Sequence, residues 1–374
     1  MKNIIKNMDK RLFFVTIILF IIGLIMIYSA SNVTAYVIND ANPARYFVRQ
    51  LFFLGLGFIG AYILIKIPVK RYYAFTILGI VGATFAIAML ALYGQIVNGA
   101  SNWIGYKGFG IQPSEFVKVF IIPLYALYYD TKKVYSHKNV KTWIPPIISG
   151  VIGFFIVLQN DFGTAFIFLV LSVVLFFLCS TSKQSKKVMF LLCIGISMLV
   201  GMALLTFGDK ILDKDKRDRF NFFNPCERYL NTGNQLCNGY IAINGGGLLG
   251  KGLGNSTQKY LYLPESHTDF IFAIFIEEAG LFGGVVLITL YGYTIYRIIS
   301  IGKKSKINRN KNICYGVAIY LFLHIFINLG GVLGIIPVTG IPLAFLSYGG
   351  TYCWCTIGAL TMVQRVYIEN KTNS

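Results

Sequence analysis

Residues 260–280 read YLYLPESHTDFIFAIFIEEAG. A polar, aromatic run through Ser266, His267 and Asp269 passes without a break into an apolar helical stretch, which then carries two adjacent carboxylates, Glu277 and Glu278. At 1.5 Å per residue that pair lies about 12 Å along the helix from Asp269. Charge at membrane depth is costly and marks a site or a pathway. Three carboxylates within ten residues therefore make this the first place to look for chemistry.

The rest of the chain supplies the membrane. Its 374 residues are 56% hydrophobic and only 13% charged, with a mean hydropathy of +0.64. Soluble domains carry about 25% charged residues, so a water-facing surface over the whole chain is excluded. The apolar runs reach ~20 residues and do not alternate as barrel strands do, which predicts an all-α polytopic membrane protein. Ten segments stand out: 12–30, 48–67, 74–93, 115–129, 144–158, 162–179, 188–207, 269–296, 312–336 and 346–363. The expectation is one membrane domain over residues 1–374, with ten transmembrane helices and one large extracellular loop, 208–268. A net charge of +19 raises nucleic acid as a partner, but the Lys and Arg residues fall in short loops between spans, which argues against it. Those basic loops alternate along the chain, from Lys2, Lys6, Lys10 and Arg11 at the start to Arg365 and Lys371 at the end. By the positive-inside rule both termini are cytoplasmic. The first segment is too long for the h-region of a cleaved signal peptide and is expected to remain.

Ionisable residues at the outer ends of spans are the candidates for function. Arg49 opens the second segment, where snorkelling and a functional charge are both open readings. Glu115 and Lys118 are three apart on one helix face, where they can pair and should face the bundle interior or a cavity. Asp161 precedes the sixth segment, a position equally suited to helix capping. In the long loop Lys216, Arg217 and Arg219 cluster, and residues 245–252 superficially resemble a phosphate loop. Gly252 stands where the Ser or Thr is required and no strand precedes it, so that reading fails. An anion cradle near Lys251 and Lys259 and a merely flexible loop stay open. The ninth segment holds His324 and Asn328, four apart, before Gly and Pro residues that break the helix near the outer face. Irregular backbone at that depth lines a cavity or is buried in protein. Cys226 and Cys237 share the long loop with ten residues between them, and both a disulfide and free thiols are open. Ser266 to Asp269 also matches a capping box before an apolar run.

Six motifs in order, YSAS (28–31), NGASNWI (98–104), IQPSEFVK (111–118), QNDFGTA (159–165), the block 242–283 and PVTGIPLAFLSYGG (337–350), resemble the SEDS (shape, elongation, division, sporulation) family of bacterial cell-wall proteins. The resemblance spans nearly the whole chain and leans to the FtsW branch over the RodA branch. It departs at Asn160 and Ala344, where the family usually has proline. It implies a peptidoglycan glycosyltransferase of the bacterial cytoplasmic membrane that polymerises lipid II outside the membrane, with Asp269 matching the essential aspartate. One carboxylate as general base suffices, because a polyprenyl diphosphate leaves readily and needs cations more than an acid. Arg49, Lys118, Arg217, Arg219 and Lys259 are then candidates for binding lipid II and the growing lipid-linked glycan, with Glu115 and Asp161 beside them. A divalent cation, Mg2+ or Mn2+, is an open cofactor. The implied partners are a class B penicillin-binding protein and other divisome membrane proteins. The partner's helix is expected in a groove near Gly280, Gly283, Gly284, Gly330 and Gly331. A lipid II flippase, an elongation polymerase and a non-catalytic scaffold are the competing readings.

Overall fold

The computed structural model describes residues 7–38, 40–94, 101–106, 109–130, 138–211, 222–229 and 233–372. Among them are eleven α-helices: α1 Lys10–Val37, α2 Arg45–Leu64, α3 Tyr72–Tyr93, α4 Pro113–Tyr128, α5 Ile144–Leu158, α6 Phe162–Leu178, α7 Lys183–Ile211, α8 Asn234–Gly246, α9 Ile271–Lys303, α10 Asn308–Val332 and α11 Gly350–Thr372. Each of the ten apolar segments is a helix. Seven of these helices, α1, α2, α3, α5 (with the 3-10 turn Val140–Trp143 that leads into it), α7, α9 and α10, are long and apolar enough to cross a membrane. The other three are short or polar, and their surroundings explain it. The 16-residue α4 and the 23-residue α11 are almost wholly enclosed by protein, so α11 tolerates buried Thr351, Thr356, Thr361, Gln364 and Glu369. A helix that touches protein and not lipid need not be apolar all round.

Two elements were absent from the sequence reading. A short antiparallel hairpin pairs β1 Ile104–Tyr106 with β2 Phe109–Ile111 and rests on the start of α11, where Thr351 Oγ1 accepts from the Gln112 N–H at 3.2 Å. The second is α8 in the long loop. Cys226 and Cys237 form a disulfide, with Cα atoms 5.0 Å apart, that joins the 3-10 turn Pro225–Arg228 to α8.

At one end of the bundle the first and last helices meet. Asp9 caps α1 by accepting from the Leu12 N–H at 2.7 Å and pairs with Arg297 of α9. Gln364 of α11 accepts from the Asp9 N–H at 2.8 Å and donates to its carbonyl at 3.1 Å. The start of α1 and the last turns of α11 therefore lie together at this end.

The backbone of α9 is broken at Gly280, which has φ 70° and ψ −178°. In an unbroken helix the N–H groups of Leu281 and Phe282 would donate to the carbonyls of Glu277 and Glu278. Here they donate instead to Gly247 and Leu248, at 2.9 and 3.1 Å. The two freed carbonyls accept from the N–H groups of Lys251 and Gly252, at 2.9 and 3.0 Å. The glycine-rich stretch is thus inserted into the hydrogen-bond ladder of α9 and is neither an anion cradle nor a free loop. Such an approach needs glycine on both sides: a Cβ at Gly280 would stand 2.4 Å from the Gly250 nitrogen, and one at Gly250 2.2 Å from the Glu278 carbonyl oxygen. Of the glycines expected to form a partner groove, Gly280, Gly284, Gly330 and Gly331 are buried within the protein and Gly283 is half-buried. Added Cβ atoms would meet Ala279 at Gly283, Ile276 at Gly284, Ile336 at Gly330 and Val338 at Gly331.

Gly280→Ala combines a forbidden conformation with backbone collisions. We expect it to cost roughly 2 kcal/mol or more, to lower the thermal midpoint in detergent, and to expose residues 247–259 to protease. An unchanged midpoint with unchanged protection would contradict the inserted loop.

Candidate active site

The two carboxylates of α9 face back onto that loop. Glu277 accepts from Lys251 Nζ at 2.7 Å, from the Thr257 N–H at 3.1 Å and its hydroxyl at 2.7 Å, and from the Ser256 hydroxyl. Glu278 accepts from Ser29 of α1 and from Lys259 Nζ, the latter at 3.3 Å. Lys259 also donates to the Gly254 carbonyl and is itself 1% exposed, so its charge is committed within the protein. Glu277 and Glu278 hold the loop; neither opens onto a surface, since both are fully buried.

Residues 260–270 then form a turn-rich strap that closes over the end of the bundle. The helix begins only at Ile271, and its cap position, Phe270, makes no side-chain capping bond. The capping-box pattern is therefore unused: the Ser266 hydroxyl donates instead to the Ala30 carbonyl of α1 at 3.2 Å. Three successive strap carbonyls are each held by a different donor. His267 O accepts from the Tyr348 N–H at 3.0 Å, Thr268 O from the Ser347 hydroxyl, and Asp269 O from Asn328 Nδ2 at 2.7 Å. With its backbone fixed, Asp269 is half-buried, its Oδ1 3.0 Å from the Thr268 hydroxyl and its Oδ2 3.8 Å from where a Cβ on Gly340 would stand. Between Asp269, Asn328, Thr339, Gly340 and Ile341 lies a slot of about 10 Å³. That is about one oxygen's worth of room.

The remaining described candidates lie at three separate places. Lys118 is fully buried, 2.6 Å from Glu115 Oε1 and 3.3 Å from His324 Nε2. His324 lies one helical turn before Asn328 on α10, so this pair supports the helix that holds Asp269. Asp161 caps α6 through the Thr164 N–H at 3.0 Å and accepts from Asn102 and Gln112, at 2.6 and 3.0 Å, which fastens the hairpin loop. The preceding Asn160 has φ 63°, a conformation closed to proline. Arg49 lies beside Tyr348, whose ring packs with Tyr46 and His267 next to the strap. Arg217 and Arg219 lie outside the described residues. Among the described residues no group of three or more His, Cys, Asp or Glu side chains converges on a metal-sized site. Near Asp269 the further carboxylate is Glu265, 2.6 Å from the same Thr268 hydroxyl.

Sequence reasoning noted Asn328 and gave it no task, and it passed over Ser347 and Thr268. Only the i, i+4 spacing of His324 and Asn328 hinted that one helix face carries both the ion pair's partner and the strap's donor.

The sequence profile of the FtsW/RodA/SpoVE family, described as cell cycle proteins, matches residues 9–372. The chain is 34% identical to a probable peptidoglycan glycosyltransferase FtsW of Bacillus subtilis, over 99% of this chain and 94% of that one. It is also 34% identical to stage V sporulation protein E of the same organism, over 96% and 97% of the two chains. A solved structure described as a peptidoglycan synthase complex superposes with a TM-score of 0.76 at 22% identity, covering 96% of this chain and 97% of that one. Thermus thermophilus RodA gives 0.68 at 22% identity, with 96% of each chain covered. At that identity the structures speak for the fold.

Burial lowers the His267 pKa below its ordinary value, against a smaller opposing pull from Glu265, and Nδ1 is buried without a partner. The folded strap therefore keeps the ring neutral where the unfolded chain would protonate it. Stability from this group is complete above about pH 6.5 and is lost as pH falls from there towards the lowered folded value. His267→Gln should flatten the thermal midpoint between about pH 7.5 and 5.5; an unchanged slope would place the titration elsewhere. Lys118→Met leaves Glu115 as a buried unpaired carboxylate, at a cost of about 3–5 kcal/mol. Its membrane abundance should fall, and the double variant Lys118→Met, Glu115→Gln should recover it on quantitative immunoblots.

Proposed function

The chain belongs to the FtsW/RodA/SpoVE family of cell cycle proteins, and on that premise we propose that it is a peptidoglycan glycosyltransferase. It polymerises lipid II into glycan strands at the outer face of the bacterial cytoplasmic membrane, during cell division. The observation that carries the reading is Asp269: a carboxylate on a strap whose backbone is held at three successive carbonyls, facing a slot that admits one oxygen.

Asp269 takes the proton of the acceptor sugar hydroxyl as that oxygen attacks the anomeric carbon of the lipid-linked partner. The bond to the polyprenyl diphosphate breaks, and the leaving group departs with the electron pair. Positive charge stabilises it. Arg49 beside Tyr348 brings positive charge next to the strap, with Arg217 and Arg219 proposed to add to it. Lys118 acts from behind, through Glu115 and His324, and Asp161 keeps the hairpin in place at the rim. Lys259 has a structural task. Asp269 and Glu265 offer hard oxygens of the kind Mg2+ or Mn2+ prefers, and a cation there would draw its remaining ligands from substrate phosphates and water. Such an ion would supply further charge neutralisation.

We place both termini in the cytoplasm, all ten apolar segments across the membrane, and the loop 208–268 outside, with the whole chain working as one domain. A class B penicillin-binding protein is the proposed partner, beside other divisome membrane proteins. Its helix would lie on the exposed faces of α9 and α10, at Leu281, Phe282, Phe322 and Phe326. The equal similarity to stage V sporulation protein E supports a second reading of when the enzyme works, with the same chemistry.

Purified protein in liposomes given labelled lipid II should form glycan chains. Lipid scrambling without polymer would favour a flippase, and neither activity a scaffold. Asp269→Asn should keep its membrane abundance and lose polymerisation by at least about 100-fold; clear polymerisation by this variant would remove Asp269 from the role.

A further inference from the structure

Asn328 lies on α10 with its side chain buried, 4% exposed, in the wall of the slot that Asp269 faces. Its Nδ2 donates to two carbonyls that are far apart in sequence: Asp269 O at 2.7 Å and Ile341 O at 2.8 Å. These belong to opposite sides of the slot. One is the backbone of the proposed base; the other follows Gly340, whose Cα faces the carboxylate. The orientation of the amide is fixed by this arrangement, because turning it over would set Oδ1 against both carbonyl oxygens. Oδ1 itself is buried without a partner. The residue's contribution is therefore its pair of donors.

From this geometry we infer that Asn328 is a positioning residue: its amide sets the gap between the Asp269 carboxylate and the Gly340–Ile341 wall, and so the place of the acceptor hydroxyl. Ser347 supports it by holding the preceding carbonyl, Thr268 O, and by accepting from the Leu343 N–H at 2.7 Å. The inference rests on Asp269 being the base. If the amide only fastened α10 to the strap, its loss would lower stability and leave the turnover of folded enzyme alone. If it sets the gap, its loss widens the slot and slows the step in the folded enzyme, while binding of the lipid-linked donor, which is made elsewhere, is unchanged. Misplacement of a reacting group by about 1 Å costs on the order of 100-fold in rate.

The test uses the full chain in lipid nanodiscs, with initial rates of glycan formation measured over a range of labelled lipid II, beside thermal midpoints. Asn328→Ala and the near-isosteric Asn328→Asp, which lacks the two donors when ionised, should each lower kcat by about 100-fold and leave KM within about twofold. A kcat within threefold of the parent in folded Asn328→Ala or Asn328→Asp protein overturns the inference. So does a loss that appears only in KM. Should neither variant accumulate, Ser347→Ala carries the decision: a fall in kcat at unchanged KM supports the clamp, and parental kcat overturns it. The failure of this inference is separable from that of the premise. An active Asp269→Asn enzyme removes the base, whereas an inactive Asp269→Asn beside a fully active Asn328→Ala removes only the clamp.

Discussion

In a bilayer every backbone N–H and C=O must find a partner inside the protein, and α9 meets that demand in an unusual way. Four of its groups, two donors and two acceptors around Gly280, are satisfied by residues 247–252 and not by its own turns. Glu277 and Glu278 sit on the turn before the break and gather Lys251, Ser256, Thr257, Lys259 and Ser29. The result is a brace. The strap that carries Asp269 begins where Lys259 is pinned to Glu278 and ends where α9 starts, so both its ends are fixed to the same helix.

The second set of constraints acts from the other side. Segment 341–348 and α10 supply the donors for the three strap carbonyls, and α10 is in turn anchored by the buried pair Glu115 and Lys118 through His324. A buried ion pair is a poor source of stability but a strong source of register, since breaking it leaves an uncompensated charge. That suits a helix whose task is to hold one amide within hydrogen-bond reach of two loops. Catalytic groups need this kind of support more than they need strong interactions of their own.

Much of this was legible in the residues. Apolar runs located ten helices, because a helix in lipid must be apolar for most of its length. Charged residues, Asp269 and the Glu115–Lys118 pair among them, stood out against that background. What escaped was polar and short-range. α8 lies in a Gly- and Asn-rich stretch, NQLCNGYIAINGG, whose loop-like composition hides its helix. The hairpin at residues 104–111 has strands of only three residues. Glu277 and Glu278 drew attention to this stretch because charge at depth is costly, and the structure gives them the task of holding an inserted loop. Ser266 read as a cap because the pattern is local, while its partner, Ala30, is more than two hundred positions away. Asn328 was visible but mute: an amide shows its purpose only when both carbonyls are in place.

The inserted loop also has a consequence for the order in which the protein can be made. Residues 247–252 leave the ribosome roughly thirty residues ahead of the carbonyls and amides they will bind. Until α9 arrives, that backbone has no partners in lipid and must remain in water. The first ten residues of α9, for their part, do not form a continuous span with the rest of the helix without it. On that ground membrane integration of this region would be a two-part event, with α9 entering before the loop that fills the gap in its ladder. The step that completes the bundle core would also close the strap, so an enzyme caught before it would be anchored in the bilayer yet have no assembled site.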